Sequence, residues 1–283
     1  MAELLFGAFV AEQLMEEIRC DAQELKKRDV TPRLAILRVG EDADDIFYER
    51  SIEKCCCKVG VEVCRVTLPE DVQRAELIAA LRALNADASI HGVLPLLPVP
   101  AQPRDTAVYE TLALKKDVDG VTYRARAALY SGENRGFVPC TACACVEMLK
   151  RYNISTEGKR VVIVGRSTVA GKPAAMMLLT ENATITVCHS RSVNLPEVCR
   201  KADILVATAG QPGLIGRQHV RAGQVVLDVG THMDENGIVR GDVRFDEVAP
   251  IVSAITPVPG GIGAVTTPIL VAHTVEAAKR AKA

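Results

Sequence analysis

Val161-Val162-Ile163-Val164-Gly165-Arg166-Ser167-Thr168-Val169-Ala170-Gly171-Lys172-Pro173 decides how the rest of this chain is read. A short β-branched apolar run has the pattern of a buried strand, Gly165 breaks it, and a helical pattern follows. The N-terminus of a helix placed directly after such a strand presents backbone N–H groups that can hold phosphate. Strand, glycine turn and helix therefore point to a dinucleotide site. The same arrangement also occurs in parallel sheets that bind nothing, so the flanking sequence has to decide.

Downstream, Thr184–Cys188 forms the next strand pattern and is followed by His189-Ser190-Arg191-Ser192. This lies roughly 20 residues past the glycine turn, where the end of the second strand of a dinucleotide fold meets the adenosine ribose. An acidic residue there would favour NAD. Ser190 and Arg191 instead offer a hydroxyl and a guanidinium to a 2′-phosphate, which favours NADP. Two further strand patterns, Ile204–Thr208 and Val225–Val229, end near Gly210 and Gly230 and should line the same crevice. Ile255–Gly263 is a stiff loop of prolines and glycines in which Pro259, Gly260 and Gly261 let backbone approach a ligand. A last helix is expected from Thr267 to Arg280.

Upstream, helical spacing runs from Phe6 to Lys27, and Leu34–Val39 has a buried strand pattern closed by Gly40. Asp44 or Asp45 can cap the helix that ends at Gly60. Strand, helix and strand follow over Val61–Val66, Val72–Asn85 and Ile90–Leu94. Strand and helix alternate along the whole chain, which predicts an α/β protein whose mostly parallel sheet is covered on both faces. Leu97 to Pro139 is richer in proline, glycine and charge, as loops and lobe boundaries are. With 283 residues, two α/β lobes are expected, the second a Rossmann-like NAD(P)-binding domain.

The 34 basic and 35 acidic residues nearly cancel, so no basic stripe points to nucleic acid. The longest apolar runs, such as Gly92–Pro100, fall far short of a membrane span and are broken by proline. No secretory pattern opens the chain, and a cytoplasmic protein is expected. The 10 cysteines raise the question of metal. Cys55-Cys56-Cys57 point about 100° apart on a helix and cannot converge on one ion, and Cys140-x-x-Cys143 has no second pair to complete a zinc site. No metal is expected; cysteines packed as small apolar residues in a reducing compartment are.

Taken together, several segments resemble the methylenetetrahydrofolate dehydrogenase/methenyltetrahydrofolate cyclohydrolase family. They are Tyr48 on a helix after Val39-Gly40, the KDVDG stretch Lys116–Gly120, Pro139-Cys140-Thr141, the glycine turn GRSTVAGKP, His189-Ser190-Arg191, DVG at 228–230 and TPVPGGIG at 256–263. Their order and spacing cover nearly the whole chain. The resemblance implies folate in a cleft between an N-terminal α/β lobe (1–145, completed by the C-terminal helix 265–283) and an NADP lobe (146–264), in a homodimer. It also implies that Tyr48 packs on the pterin and aminobenzoyl part and that Asp119 bonds the pterin's amino edge. Gly165, Arg166, Ser167, Ser190 and Thr231 fall at the NADP-binding positions.

Two departures bear on the reaction. The family's cyclohydrolase step relies on a lysine four residues after the tyrosine, where this chain has Ile52, and on a partnering glutamine, where it has Leu96. Lys54 is no easy substitute, since it sits about 120° from Tyr48 around the helix axis. Hydrolysis of a methenyl cation needs a group that positions and deprotonates water, and neither isoleucine nor leucine has a proton acceptor. The expected function is thus NADP-dependent oxidation of 5,10-methylenetetrahydrofolate with weak or absent cyclohydrolase activity. Two alternatives remain open: a bifunctional enzyme using Ser51, Lys54 or Cys55 instead, and a non-catalytic protein that binds folate or nucleotide.

Overall fold

The computed structural model describes residues 2–96, 106–133, 135–235 and 237–282. The chain opens with strand β1 (Glu3–Leu4) and helix α1 (Gly7–Lys26), then β2 (Arg33–Val39), α2 (Ala43–Val59), β3 (Glu62–Leu68), α3 (Arg74–Ala86) and β4 (Gly92–Pro95). Next come α4 (Tyr123–Tyr130), α5 (Cys140–Arg151), β5 (Arg160–Val164), α6 (Gly171–Thr180), β6 (Thr184–Cys188), α7 (Leu195–Arg200), β7 (Ile204–Ala207) and β8 (Val225–Asp228). The hairpin β9 (His232–Met233) and β10 (Val239–Arg240), α8 (Phe245–Val248), β11 (Ala254–Ile255) and α9 (Gly263–Lys282) complete it. Positions 97–100 of the apolar run read from Gly92 lie outside the described residues. No helix among the described residues is long and apolar enough to cross a membrane.

Two compact units emerge, Gln13–Val138 with Thr267–Ala283, and Met1–Glu12 with Pro139–Thr266. The first contains a parallel sheet in the order β3-β2-β4, in which Leu34 pairs with both Val63 and Gly92. Every residue of β2 after Arg33 is buried, as a central strand covered on both faces requires. Leu77, Leu81 and Leu84 recur at helical spacing on α3 and pack against Ala35, Leu37 and Val39. Asp42 caps α2 by accepting from the Asp44 and Asp45 amides, so the cap falls just before the two aspartates expected to provide it.

The second unit holds a parallel sheet in the order β1-β11-β8-β7-β5-β6. Its outermost strand β6 is largely exposed, whereas β7 is wholly buried. The first residues belong here, not with the first unit as the boundary 1–145 placed them, because Glu3 and Leu4 pair with Ala254 and Ile255. Two-residue strands carry no period to read, which is why β1 and β11 were not expected. Helix α9 begins at Gly263, ahead of the expected Thr267, and takes Pro268 within it.

All ten cysteines are free, none of them paired in a disulfide. Cys140, Cys143, Cys145, Cys188 and Cys199, all in the second unit, are buried, and in the first unit Cys56 is buried while Cys20 and Cys57 are exposed. Burial pushes the Cys56, Cys145 and Cys199 thiols up to about 12, so they pack as neutral groups.

Candidate active site

In the first unit the chain runs from β2 outward to β3 and returns on the other side as β4, so the strand order reverses at the carboxyl ends of β2 and β4, where ligands of open α/β sheets bind. Helix α2 leaves from that end and carries Tyr48, half-buried, and Ile52, which has no exposed surface. An ion pair fixes the helix there: the Arg38 guanidinium donates to the Glu49 carboxylate at 3.0 Å, both groups buried. Arg65 approaches the other Glu49 oxygen at 3.2 Å, and Arg38 also donates to the Gly40 carbonyl. Leu96 continues β4, its amide donating to the Leu37 carbonyl at 2.9 Å, and its side chain is buried.

The KDVDG stretch reaches the same sheet end. Asp117 makes a parallel bridge with Val93 of β4, and the chain then turns through Val118 and Asp119 to Gly120. Its neighbours are anchored from three directions. The Lys116 ammonium donates to the Leu84 and Asp87 carbonyls at 2.8 and 2.6 Å. The buried Asp117 carboxylate accepts from the Val121 and Thr122 amides at 2.9 Å and from the Thr122 hydroxyl at 2.7 Å. His273 Nδ1 donates to the Val118 carbonyl at 2.8 Å, and burial holds its ring near a pKa of about 4, hence neutral. Asp117 thus closes the turn at Gly120 (φ +60°), within which Asp119 is half-buried.

In the second unit the strand order reverses between β5 and β7. Gly165 sits there with φ +136°, its amide on the Cys188 carbonyl at 2.8 Å, and a Cβ added to it would lie 2.0 Å from the Thr208 carbonyl oxygen. Only glycine permits that conformation and approach. Val164 pairs with Cys188, so Arg166 and Ser190-Arg191 leave from adjacent strand ends, with all three side chains exposed. The His189–Ser192 loop is closed by its own bonds, the His189 amide on Ser192 Oγ at 2.9 Å and the Arg191 amide on His189 Nδ1 at 3.1 Å.

One expectation is corrected. The first amides of α6 are not open to a phosphate, because Ser167 takes them: its Oγ accepts from the Ala170 and Gly171 amides at 3.1 and 3.4 Å, and its carbonyl accepts from Lys172. Ser167 is thus a cap, and the groups offered to an anion are the Arg166 and Arg191 guanidiniums and the Ser190 hydroxyl. That donor set fits a phosphate ester.

Pro259, Gly260 and Gly261 form a tight loop, the Gly260 carbonyl accepting from the Gly7 amide at 2.7 Å. The peptide before Pro259 is cis. An open cavity of about 520 Å³ brings Pro259 together with Pro257, Asp228, Gly241 and Arg244. Thr231 is exposed, next to Gly230 and His232. Beneath these loops lies a residue that sequence reasoning missed, Asp242, which pairs with His232 at 2.8 Å. No group of three or more metal-ligating residues that could hold an ion is found among the described residues.

Two family models match the chain in register with this geometry. The tetrahydrofolate dehydrogenase/cyclohydrolase catalytic domain matches residues 5–119, and the NAD(P)-binding domain of the same family matches residues 139–282. The chain belongs to the tetrahydrofolate dehydrogenase/cyclohydrolase family. Its relatives include the bifunctional protein FolD of Carboxydothermus hydrogenoformans, 44% identical over 279 residues that span 98% of this chain and 97% of that protein. The crystal structure of the bifunctional FolD of Campylobacter jejuni superposes with a TM-score of 0.96 at 37% identity, over 99% of both chains. The FolD of Trypanosoma brucei, complexed with NADP cofactor and inhibitor, superposes with a TM-score of 0.92 at 32% identity, over 99% of this chain and 98% of that one. Within the tetrahydrofolate dehydrogenase/cyclohydrolase family, then, the α/β fold with its Rossmann-like NAD(P)-binding domain is established for this chain, and Pro139 marks both the start of that domain model and the edge of the second unit.

Proposed function

We propose that the protein oxidises 5,10-methylenetetrahydrofolate to 5,10-methenyltetrahydrofolate with NADP, and hydrolyses the methenyl product weakly or not at all. The observation that carries this reading is the burial of two aliphatic side chains, Ile52 at 0% exposure and Leu96 at 5%, at the positions where the resemblance puts a lysine and a glutamine. Removing one member of a buried polar pair strands the other at about 1–3 kcal/mol, whereas replacing both by apolar groups is nearly neutral. The joint change is that of a rebuilt site. Nearby substitutes are poor bases: burial pushes the Cys55 thiol up to about 11, and Ser51 and Lys54 face solvent.

Hydride transfer asks less of the side chains than hydrolysis does. It needs the one-carbon bridge held about 3–3.5 Å from its acceptor, and no proton acceptor. In this reading Tyr48 stacks on the folate and Asp119 bonds its pterin edge, with Pro259, Gly260 and Gly261 as further substrate contacts. Ile52 and Leu96 exclude water from the one-carbon unit and put no second positive charge beside the cation that forms there. Bound NADP would supply the hydride acceptor. Gly165 and Thr231 would line its path, Ser167 would shape the turn, and Arg166, Ser190 and Arg191 would hold the 2′-phosphate. The NADP complex of the trypanosomal relative supports this choice over NAD. A homodimer in the cytoplasm is the working form we propose, and sedimentation at twice the chain mass tests the dimer.

The deciding experiment follows the absorbance of methenyltetrahydrofolate with and without protein. Decay at the spontaneous rate is expected, and NADPH should form from methylenetetrahydrofolate. Decay clearly above background overturns the monofunctional reading, and binding of both ligands without NADPH formation overturns the enzymatic one. The double variant Ile52→Lys with Leu96→Gln should raise hydrolysis well above the wild-type level.

A further inference from the structure

Two buried carboxylates that the proposed reaction does not use tie together the loops at the carboxyl ends of β7 and β8. Asp242 is fully buried and accepts from the amides of Ala209 at 2.5 Å, Gly210 at 3.1 Å and Gln211 at 2.9 Å, and from His232 Nε2 at 2.8 Å. Asp228, 4% exposed, accepts from the amides of Gly230 at 3.0 Å, Asp242 at 2.9 Å and Val243 at 3.0 Å. Asp228 thus holds Asp242, and Asp242 holds the loop after β7. The fit leaves no slack: a Cβ on Gly230 would lie 2.5 Å from Asp242 Oδ1, and one on Gly241 would lie 1.9 Å from Asp228 Oδ2. Thr231 sits between the two anchors, since the residue before it is bonded to Asp228 and the residue after it to Asp242.

A carboxylate saturated with donors in this way serves position, because it has no lone pair left for chemistry. A dinucleotide lies across the point where strand order reverses, one half on each side. If the 2′-phosphate half is held at the ends of β5 and β6, the other half lies over β7 and β8, on the loops that Asp242 and Asp228 tie down. We propose that Asp242 is a positioning residue for the nicotinamide half of NADP, fixing Thr231 and residues 209–211 without touching the cofactor. This rests on the nucleotide reading above and extends it to a residue remote in sequence from every motif.

The test compares two ligands on the full-length protein: NADPH, followed by its fluorescence, and adenosine 2′,5′-bisphosphate, which carries only the 2′-phosphate half, followed by calorimetry. Asp242→Asn keeps the shape but turns an amide N–H toward backbone donors. It should raise the dissociation constant for NADPH tenfold or more while changing that for the bisphosphate less than twofold. Equal loss of both ligands would make Asp242 a general fold element, and no change in either would leave it without a role; both results overturn the inference. If Asp242→Asn does not fold, His232→Leu, which removes the one side-chain donor, should weaken NADPH about threefold and spare the bisphosphate, and unchanged NADPH binding then overturns the inference. A wild-type protein that binds neither ligand overturns the nucleotide reading and this inference with it. A wild-type protein that binds both, with variants indistinguishable from it, overturns the inference alone.

Discussion

A methyl group at Gly165 has nowhere to go, with the Thr208 carbonyl 2.0 Å from the added carbon and a backbone φ of +136° that side chains disfavour. Gly165→Ala should destabilise the second unit by at least the ~1–3 kcal/mol that such backbone strain costs. It should also weaken NADPH binding, because the ends of β5 and β7 must separate; denaturant unfolding and fluorescence titration check the two effects. Gly165 was legible in the sequence because glycine itself signals an unusual backbone at a strand end. Ile52 and Leu96 were legible only against the family pattern. Asp242 and His273 were not legible at all: their roles come from the loop after β7 and from Val118, partners far away in sequence that no local spacing encodes. Ser167 was expected at the cofactor, and in the structure its hydroxyl accepts from the start of the helix that follows it.

At the scale of elements, α2 is held by charge as much as by packing. Glu49 is buried between Arg38 and Arg65, one residue after Tyr48. Removing one side of a buried pair strands the other, at about 3–5 kcal/mol. Glu49→Ala should therefore lower the stability of the first unit by about that amount, read from its denaturation midpoint, and Glu49→Ala combined with Arg38→Met should recover a large part. The long elements were legible because each carries several periods: α3 shows its leucine face, and β2 and β5 their continuous apolar runs. The two-residue strands β1 and β11 could not be read, and β1 decides which unit the N-terminus joins. The hairpin β9–β10 was hidden for the same reason, so the residues that flank Asp242 went unassigned.

Across the whole molecule, two titratable groups, the part-buried His273 and the buried Asp228, set opposite pH responses, one in each unit. Burial holds the His273 ring down to about 4 from 6.5, so its contribution to stability is complete above pH 6.5 and is lost as pH falls toward 4. Burial, with Asp242 nearby, raises the Asp228 carboxyl to about 6 from 3.8, so its contribution is complete below pH 3.8 and is lost as pH rises through 6. Between pH 6.5 and 4 the first unit should weaken on acidification while Asp228 pulls the second the other way. Hydrogen exchange resolved by peptide should show the divergence. His273→Gln, which keeps a donor for Val118 but does not titrate, should flatten the response of the first unit. The distribution of thiols makes the same divergence countable. Five cysteines of the second unit are shielded in the folded state, while the exposed pair, Cys20 and Cys57, belongs to the first. A maleimide pulse should therefore mark Cys20 and Cys57 first, with the part-exposed Cys55 and Cys64 of the same unit behind them, and leave the nucleotide unit unmarked until it opens. The chain thus carries its own clock for the breathing of its cofactor domain, read from the mass of its thiol adducts.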